Sequence, residues 1–549
     1  MRKIALCILS AIFLILSFPK TSLWPLAWIS LVPLFFAVQN EKPLKSFLYG
    51  IITGLAAYCG ILYWLVPTFS AAGEPKIIGI AVLILLSFYL AIYYGLFCLF
   101  IRFAHLRLKS GATIRYSLLA AFLWVSLESI RTHLFTGFPW AVLGYSQWNN
   151  LPIIQISEFA GVYGVSFLII LVNLTISNAI KNDTKCHPET EAKGLKSKDR
   201  ILRFAQNDNI KNCGFTLLLI SVSLIFGFYK LKNIGTSEHR NIKTVSILQG
   251  NIDQYKKWNE KYEQEIVDTY SELVSTFYRL PSTLYPALIV WPESSVPGFL
   301  KSDKKLYGWI SDIAKKTGMQ HLVASNDYKQ VCYHRSLGNS NKFDFTRSLD
   351  YKNGKFYNSA FLVSSDGKIT DEYSKVHLVP FGEYILLRNF LSKFIKVVNE
   401  IGEFSSGEKH NVINSTAGKL GLNICFEAIF PNEVRKSVKN GAEVIVNLTN
   451  DAWYLKTSAP YQHFTMNVFR AVENRRFVVR AANTGVSGFI DPSGRVKSKT
   501  EIFITTTLTD DIQPLNYLTF YTKFGDIFAY LCIIISIILL TFRKKIDKL

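Results

Sequence analysis

Lys419-Leu-Gly-Leu-Asn-Ile-Cys425-Phe-Glu427-Ala-Ile-Phe-Pro431 is the stretch on which the reading of this chain turns. Leu420 to Ile424 is an apolar run of strand length, and it ends on a cysteine. Pro431 and the polar Asn432-Glu433-Val434-Arg435 then open a helix. The pattern predicts a thiol at a strand-to-helix corner, held by rigid backbone and facing a helix N-terminus that favours the thiolate. Taken alone, it reads first as a core cysteine, because free Cys is among the most buried residue types. The residues upstream decide between the two.

Working outward, further strand-like runs fall at Thr244–Leu248, Ala287–Trp291, His321–Ser325, Ala360–Val363, Val444–Leu448, Phe477–Ala481 and Gly488–Ile490. Helical stretches at Tyr262–Tyr278 and Leu306–Lys316 separate the early ones, and Ser365-Asp-Gly and Asp491-Pro-Ser-Gly are turn signals. Residues 241–510 are therefore expected to form one α/β domain, large enough for a full core. Within it, Leu387, Phe390, Leu391, Phe394, Ile395 and Val398 recur at helical spacing among Arg388, Lys393 and Lys396. That segment is an amphipathic helix on the domain core, or a lid lying in a membrane interface.

The rest of the chain is of another kind. Over 549 residues, 49% are hydrophobic and 14% aromatic, and long apolar runs point to the membrane. A retained first span at 4–16 is followed by runs near 23–39, 46–66, 77–103, 114–131, 162–180 and 214–232, and by a closing one at 522–541. These divide the chain into a membrane domain (1–232, with a polar insertion at 181–212), the α/β domain and a C-terminal span. The net charge of +21 would suggest nucleic acid if it sat on one soluble surface. Instead Arg2, Lys3, Lys42, Lys45, Arg102, Arg107, Lys109, Arg115, the 181–211 stretch and Arg543-Lys-Lys545 all fall on one side of alternating spans. The positive-inside rule puts both termini in the cytoplasm and the α/β domain outside it, and nucleic acid binding has no support. Five of the eight cysteines lie in or beside spans, which is no disulfide framework, although a Cys332–Cys425 pair stays open. No metal-ligand spacing and no phosphate loop is visible, so neither metal nor cofactor is expected.

Two more stretches end at chemically useful residues. Ile289-Val-Trp-Pro-Glu293 places a carboxylate just past a buried strand, and Tyr373-Ser-Lys375 places a lysine shortly after the Asp366-Gly367 turn. Singly, Glu293 reads as a solvated acid and Lys375 as a surface lysine. Together with Cys425 they make a reaction. A cysteine nucleophile needs a base to take its proton and return it, and burial can raise a glutamate to that task. Attack on a carbonyl creates an oxyanion, which a lysine ammonium stabilises.

These residues, with His377-Leu-Val-Pro-Phe-Gly-Glu383 and Cys425-Phe-Glu427, resemble the Glu–Lys–Cys set of the nitrilase superfamily. Gln249-Gly-Asn-Ile252 with Trp258, Asn447-Leu-Thr-Asn-Asp-Ala-Trp453, Arg480-Ala-Ala-Asn-Thr-Gly485 and the span pattern narrow the resemblance to the apolipoprotein N-acyltransferases. It implies about eight spans and an extracytoplasmic αββα sandwich, in the inner membrane of a bacterium. It also implies a ping-pong transfer from a phospholipid, commonly phosphatidylethanolamine, through a cysteine thioester to the α-amino group of a diacylglyceryl-cysteine on an apolipoprotein. By the same resemblance Cys425 is the nucleophile, Glu293 the base and acid, and Lys375 the oxyanion stabiliser. Glu383 and Glu427 then orient Lys375 or the incoming amine, and Trp258 and Trp453 line the site. Trp453 also fits a core aromatic. Phe426 stands where the family often has Tyr, and is assigned packing only. Two other readings share these features: a membrane-tethered amidohydrolase, and a transporter or scaffold with an inactive polar domain, against which the scarcity of ionisable residues in the spans argues.

Overall fold

The computed structural model describes residues 1–107, 113–183, 208–233, 241–257, 259–279, 281, 285–330, 354–380, 382–384 and 404–541. Trp258, Cys332 and the Leu387–Val398 segment, with the lid reading placed on it, lie outside the described residues.

Residues 241–512 build two facing six-stranded sheets. The first contains β1 (Lys243–Gln249), β2 (Leu288–Val290), β3 (Gln320–Gln330), β4 (Gly354–Val363), β5 (Ile369–Ser374) and, at its far edge, β12 (Thr506–Ile512), in the order β12-β1-β2-β3-β4-β5. The second contains β6 (Val412–Ser415), β7 (Gly418–Ile424), β8 (Val444–Thr449), β9 (Phe477–Ala482), β10 (Gly488–Ile490) and β11 (Val496–Lys499), in the order β11-β10-β9-β8-β7-β6. In each sheet the central strands run parallel, β1-β2-β3 and β7-β8-β9, and antiparallel strands flank them.

Strand alternation sorts the side chains into layers. Val245, Ile247, Leu322 and Leu362 from one sheet meet Leu420, Leu422, Val446, Leu448 and Val479 from the other in the central core. The opposite face of the first sheet packs Ile289, Trp291 and Phe361 under helices Glu263–Ser275 and Lys304–Thr317. Asp303 caps the second helix by accepting from Lys305 N at 2.8 Å and Leu306 N at 3.2 Å, and Gly318, at φ +67°, ends it.

The outer layer of the second sheet is helices Pro431–Lys439 and Ala459–Asn474. Every residue of the latter except Tyr461 is buried, because membrane-part helices cover the side that a soluble domain would expose. One apolar cluster runs without a break from Ile445 and Val478 through Val468 and Phe469 to Val162, Leu168 and Trp140.

Within the membrane part, helices Pro43–Ile61, Lys76–Leu106, Ser157–Ile180 and Ile210–Asn233 are long and apolar enough to cross a bilayer. Arg2–Ser17 and Ile527–Thr541 are shorter. The run at 23–39, expected as one span, is divided into a 3₁₀ turn, Trp24–Trp28, and a helix, Val32–Val38, each with a proline in its first turn. Close packing rests on small residues: a Cβ on Gly50 would meet Tyr94 O of the neighbouring helix at 2.4 Å, inside van der Waals contact.

Polar bonds fasten the two parts. Gln462, on the buried helix, accepts from the indole N–H groups of Trp64 (3.2 Å) and Trp140 (2.8 Å). Its amide donates to Pro19 O (3.0 Å) and Ile61 O (3.1 Å). Glu158 accepts from Arg475 at 2.7 Å and from Lys230 at 2.9 Å. Apart from the half-buried Lys230, these groups are buried and mutually satisfied, so the domain is held at one angle to the helices.

Candidate active site

Glu293, Lys375 and Cys425 come together at the ends of β2, β5 and β7. Cys425 follows β7 and starts a 3₁₀ turn, Cys425–Ile429, that leads into the Pro431–Lys439 helix. Its φ is +53°, a left-handed conformation that costs a non-glycine residue about 1–3 kcal/mol and turns the side chain out of the strand direction. Cys425 is a free thiol; Cys332, the partner in the disulfide alternative, lies outside the described residues.

Lys375 Nζ donates to Glu383 Oε1 at 2.8 Å and lies 3.9 Å from Glu293 Oε1. Asn358 Nδ2, from β4, donates to both carboxylates, at 2.7 Å to Glu293 and 3.1 Å to Glu383. Val379 N fixes the other oxygen of Glu383 at 2.8 Å. Of the two acids carried by the resemblance, Glu383 is the one bonded to the Lys375 ammonium.

Glu427 does something else. It accepts from Val376 N (2.7 Å), His377 N (3.0 Å), Ile424 N (2.7 Å) and Tyr373 Oη (2.9 Å). It ties the backbone after Lys375 to the backbone before Cys425, and makes no hydrogen bond to the lysine side chain. Phe426 packs its ring 5.2 Å from Phe430 and 6.2 Å from His377, in the packing role expected of it. Trp453 is 44% exposed, with the Tyr255 ring 6.5 Å away, so the core-aromatic alternative fails.

Electrostatics correct one expectation. The corner geometry was expected to favour a thiolate, yet burial pushes the Cys425 thiol up, and the Glu293 charge adds to this while Lys375 opposes it. Burial likewise raises Glu293, with Glu383 reinforcing and Lys375 and Asn358 opposing. Burial works against the Lys375 ammonium, but Glu383 and Glu293 hold it above the usual lysine range. The resting pair is a neutral thiol beside an acid whose proton affinity has been raised, which is what a proton transfer between them needs.

Several partners escaped the sequence reading. His463, on the buried helix, places Nε2 3.1 Å from Cys425 O and Nδ1 2.9 Å from Asp451 Oδ1. Arg480 reaches the other Asp451 oxygen at 2.8 Å and also bonds Asn447, whose amide donates to Asn423 O at 3.1 Å. The network props the peptide of Cys425, and it reaches the thiol through Thr449, whose hydroxyl bonds Asp451 at 3.3 Å and eases the ionisation of Cys425. Lys257, fully buried, donates to Glu293 O at 3.0 Å. The Asn447–Trp453 and Arg480–Gly485 motifs were signals for part of this, without a role; nothing marked His463 or Lys257. A cavity of about 440 Å³ lies alongside, walled by Phe135 and Thr136 from beyond a membrane helix, Val376 and His377 from beyond Lys375, and Phe430 and Asp526. Glu293, Lys375 and Cys425 are not in its walls.

Two family models match the chain: the apolipoprotein N-acyltransferase N-terminal domain over residues 10–175, and carbon-nitrogen hydrolase over residues 244–517. An apolipoprotein N-acyltransferase of Geobacter metallireducens is 36% identical over 99% of this chain and 96% of its own. The chain belongs to the apolipoprotein N-acyltransferase family. A second member, from Pasteurella multocida, is 29% identical over 96% of this chain and 92% of its own. Among solved structures, Nit3 of Saccharomyces cerevisiae, a nitrilase-superfamily protein, covers 50% of this chain and 91% of its own at 18% identity and a TM-score of 0.36. The N-acyltransferase family match thus joins both parts of the chain, the helical one and the sandwich.

Proposed function

We propose that this protein transfers an acyl chain from a membrane phospholipid to the α-amino group of a diacylated apolipoprotein, with Glu293, Lys375 and Cys425 as its reacting groups. The observation that carries this is their convergence on one buried centre, in a sandwich whose outer helix is packed into apolar membrane helices.

The first half begins with Glu293 taking the Cys425 proton. The thiolate attacks the ester carbonyl, and the oxyanion forms beside the Lys375 ammonium, which Glu383 keeps in place. Collapse breaks the ester C–O bond, and Glu293 returns the proton to the departing lysophospholipid alkoxide. A thioester on Cys425 remains. In the second half the neutral α-amine attacks that thioester, Glu293 receives an amine proton, and the C–S bond breaks to give the amide. The thiolate then regains its proton from Glu293. Phosphatidylethanolamine is the donor we assign.

A lipid donor and a lipid-bearing acceptor explain the attachment to the bilayer. The 440 Å³ cavity runs from the end of a membrane helix to the residues after Lys375, which places an apolar approach for a lipid beside the site without reaching the three reacting groups. Eight spans, cytoplasmic termini and a periplasmic sandwich complete the reading, supported by the one-sided Lys and Arg distribution.

The experiment is intact mass spectrometry of the purified protein after incubation with phosphatidylethanolamine, for wild type and Cys425→Ala, followed by a diacylated lipopeptide. A hydroxylamine-sensitive acyl adduct on wild type alone, discharged onto the peptide amine, is the expected result. An adduct that water discharges as fast as the peptide does would make the protein a hydrolase. No adduct at all would return Cys425 to a structural role.

A further inference from the structure

Lys257 is buried beside the reacting groups, and the mechanism above does not use it. It stands at the end of the loop after β1, and that loop is pinned from the opposite sheet. Asn483 accepts from Ile252 N at 2.9 Å and donates to Ile252 O at 2.7 Å, and Asn450 bonds Gln254. Lys257 is 3% exposed, and its hydrogen-bond partner is a carbonyl oxygen, that of Glu293 at 3.0 Å, rather than a carboxylate. The charges facing it are those of Glu293 and Cys425.

A count of charge gives this placement meaning. Glu293 and Glu383 are two carboxylates, and Lys375 lies against both. With both ionised, Lys375 leaves this pair one negative charge in excess, even before the buried Glu427 carboxylate nearby is counted. Moving the Cys425 proton to Glu293 relocates that excess onto sulfur without removing it. A second cation in contact with the Glu293 backbone offsets it. We propose that Lys257 is a positioning residue of the reaction, holding Glu293 through its carbonyl and supplying the positive charge against which Cys425 ionises. This rests on Glu293 and Cys425 being the reacting pair. Burial lowers the Lys257 ammonium to about 7, so the group is poised to change charge near neutrality, against the opposing pull of Glu293 and Cys425.

The test measures alkylation of Cys425 by iodoacetamide against pH, on the full chain in detergent, with peptide-resolved mass spectrometry to separate it from the other cysteines. Glu293, Lys375, Asp451 and Tyr454 also interact with the Cys425 charge, Thr449 bonds its side chain, and all five stay in place in every variant. Lys257→Met is expected to slow alkylation about 10-fold at pH 6.5, where the Lys257 ammonium is present, with the difference shrinking above pH 8, where it is not. Lys257→Arg, which keeps the charge, stays within about 3-fold of wild type. A Lys257→Met profile that superimposes on wild type overturns the proposal, and so does a folded Lys257→Arg as slow as Lys257→Met. If Lys257→Met does not fold, the Lys257→Arg comparison decides alone, retention supporting the proposal and loss overturning it. Alkylation needs no lipid, so wild type that shows this contrast but gains no acyl adduct would strike the proposed function and leave this inference standing.

Discussion

Replacing Glu427 with glutamine tests whether the centre depends on the backbone tie between the lysine strand and the cysteine strand. In the native arrangement one carboxylate oxygen accepts from Val376 N and His377 N, and the other accepts from Ile424 N at 2.7 Å. Glutamine keeps one acceptor oxygen and puts an NH₂ where the second stood. Its less damaging orientation preserves the Val376 and His377 bonds and turns the NH₂ toward the Ile424 N–H, donor against donor. A buried N–H without an acceptor costs about 1–3 kcal/mol, and the two retained bonds lose their charge assistance. The sum is about 3 kcal/mol, falling on the residue immediately before Cys425. If half or more of it is expressed as misplacement of Cys425 relative to Lys375, thioester formation slows by about 10- to 100-fold. The assay is the rate of acyl-adduct formation by intact mass spectrometry, with thermal unfolding of the same preparation as the stability readout. Tyr373→Phe is the companion, since it removes one donor to Glu427 and leaves the backbone tie intact; a loss of about 5-fold or less is expected. Glu427→Gln within about 2-fold of wild type in rate, with unchanged unfolding, would refute the assignment of Glu427 as the tie.

Three further outcomes follow from the same geometry. Gln462→Leu strips the acceptor from the Trp64 and Trp140 indoles, so the detergent-solubilised protein should lose about 2–6 kcal/mol, read as a lowered melting temperature. Lys375→Met should reduce acyl-adduct formation by about 10²–10³-fold, and unchanged formation would remove its oxyanion role. His321 is fully buried, held between the Trp291 indole at 3.1 Å and Thr317 Oγ1 at 3.0 Å, and burial lowers it to about 3. Its folded value lies below its unfolded one, so its stability contribution is complete above pH 6.5 and drains away as pH falls toward about 3. The melting temperature should therefore fall on acidification below pH 6.5, and His321→Gln should flatten that slope while lowering stability at pH 7.

The eight strands expected from apolar runs all form, and the four that were missed, β5, β6, β11 and β12, are the edges of the two sheets. The physical reason lies in burial on two faces. Central strands such as β8, buried at all six positions, read as continuous apolar runs, whereas β5 (Ile-Thr-Asp-Glu-Tyr-Ser) buries Tyr373 alone. The same runs end on Cys425 and just before Glu293, so the proposed nucleophile and base are legible as residues at strand ends, and Lys375 through its motif. The resemblance carried Glu383 and Glu427 as well, but could not tell a lysine partner from a backbone tie.

Local pattern by itself thus determined that the N-terminal part is apolar and helical, which segments form the sandwich core, and which side chains are candidates for the chemistry, because periodicity and residue type are properties of a single segment. The ionisation state of Cys425, its backing by His463 and Asp451, the approach of Lys257 to Glu293 and the locking of Gln462 into Trp64 and Trp140 were decided by tertiary structure alone. Each depends on groups from distant segments sharing a water-free space, where desolvation and a few ångströms set the charge, and no single stretch of chain contains that information.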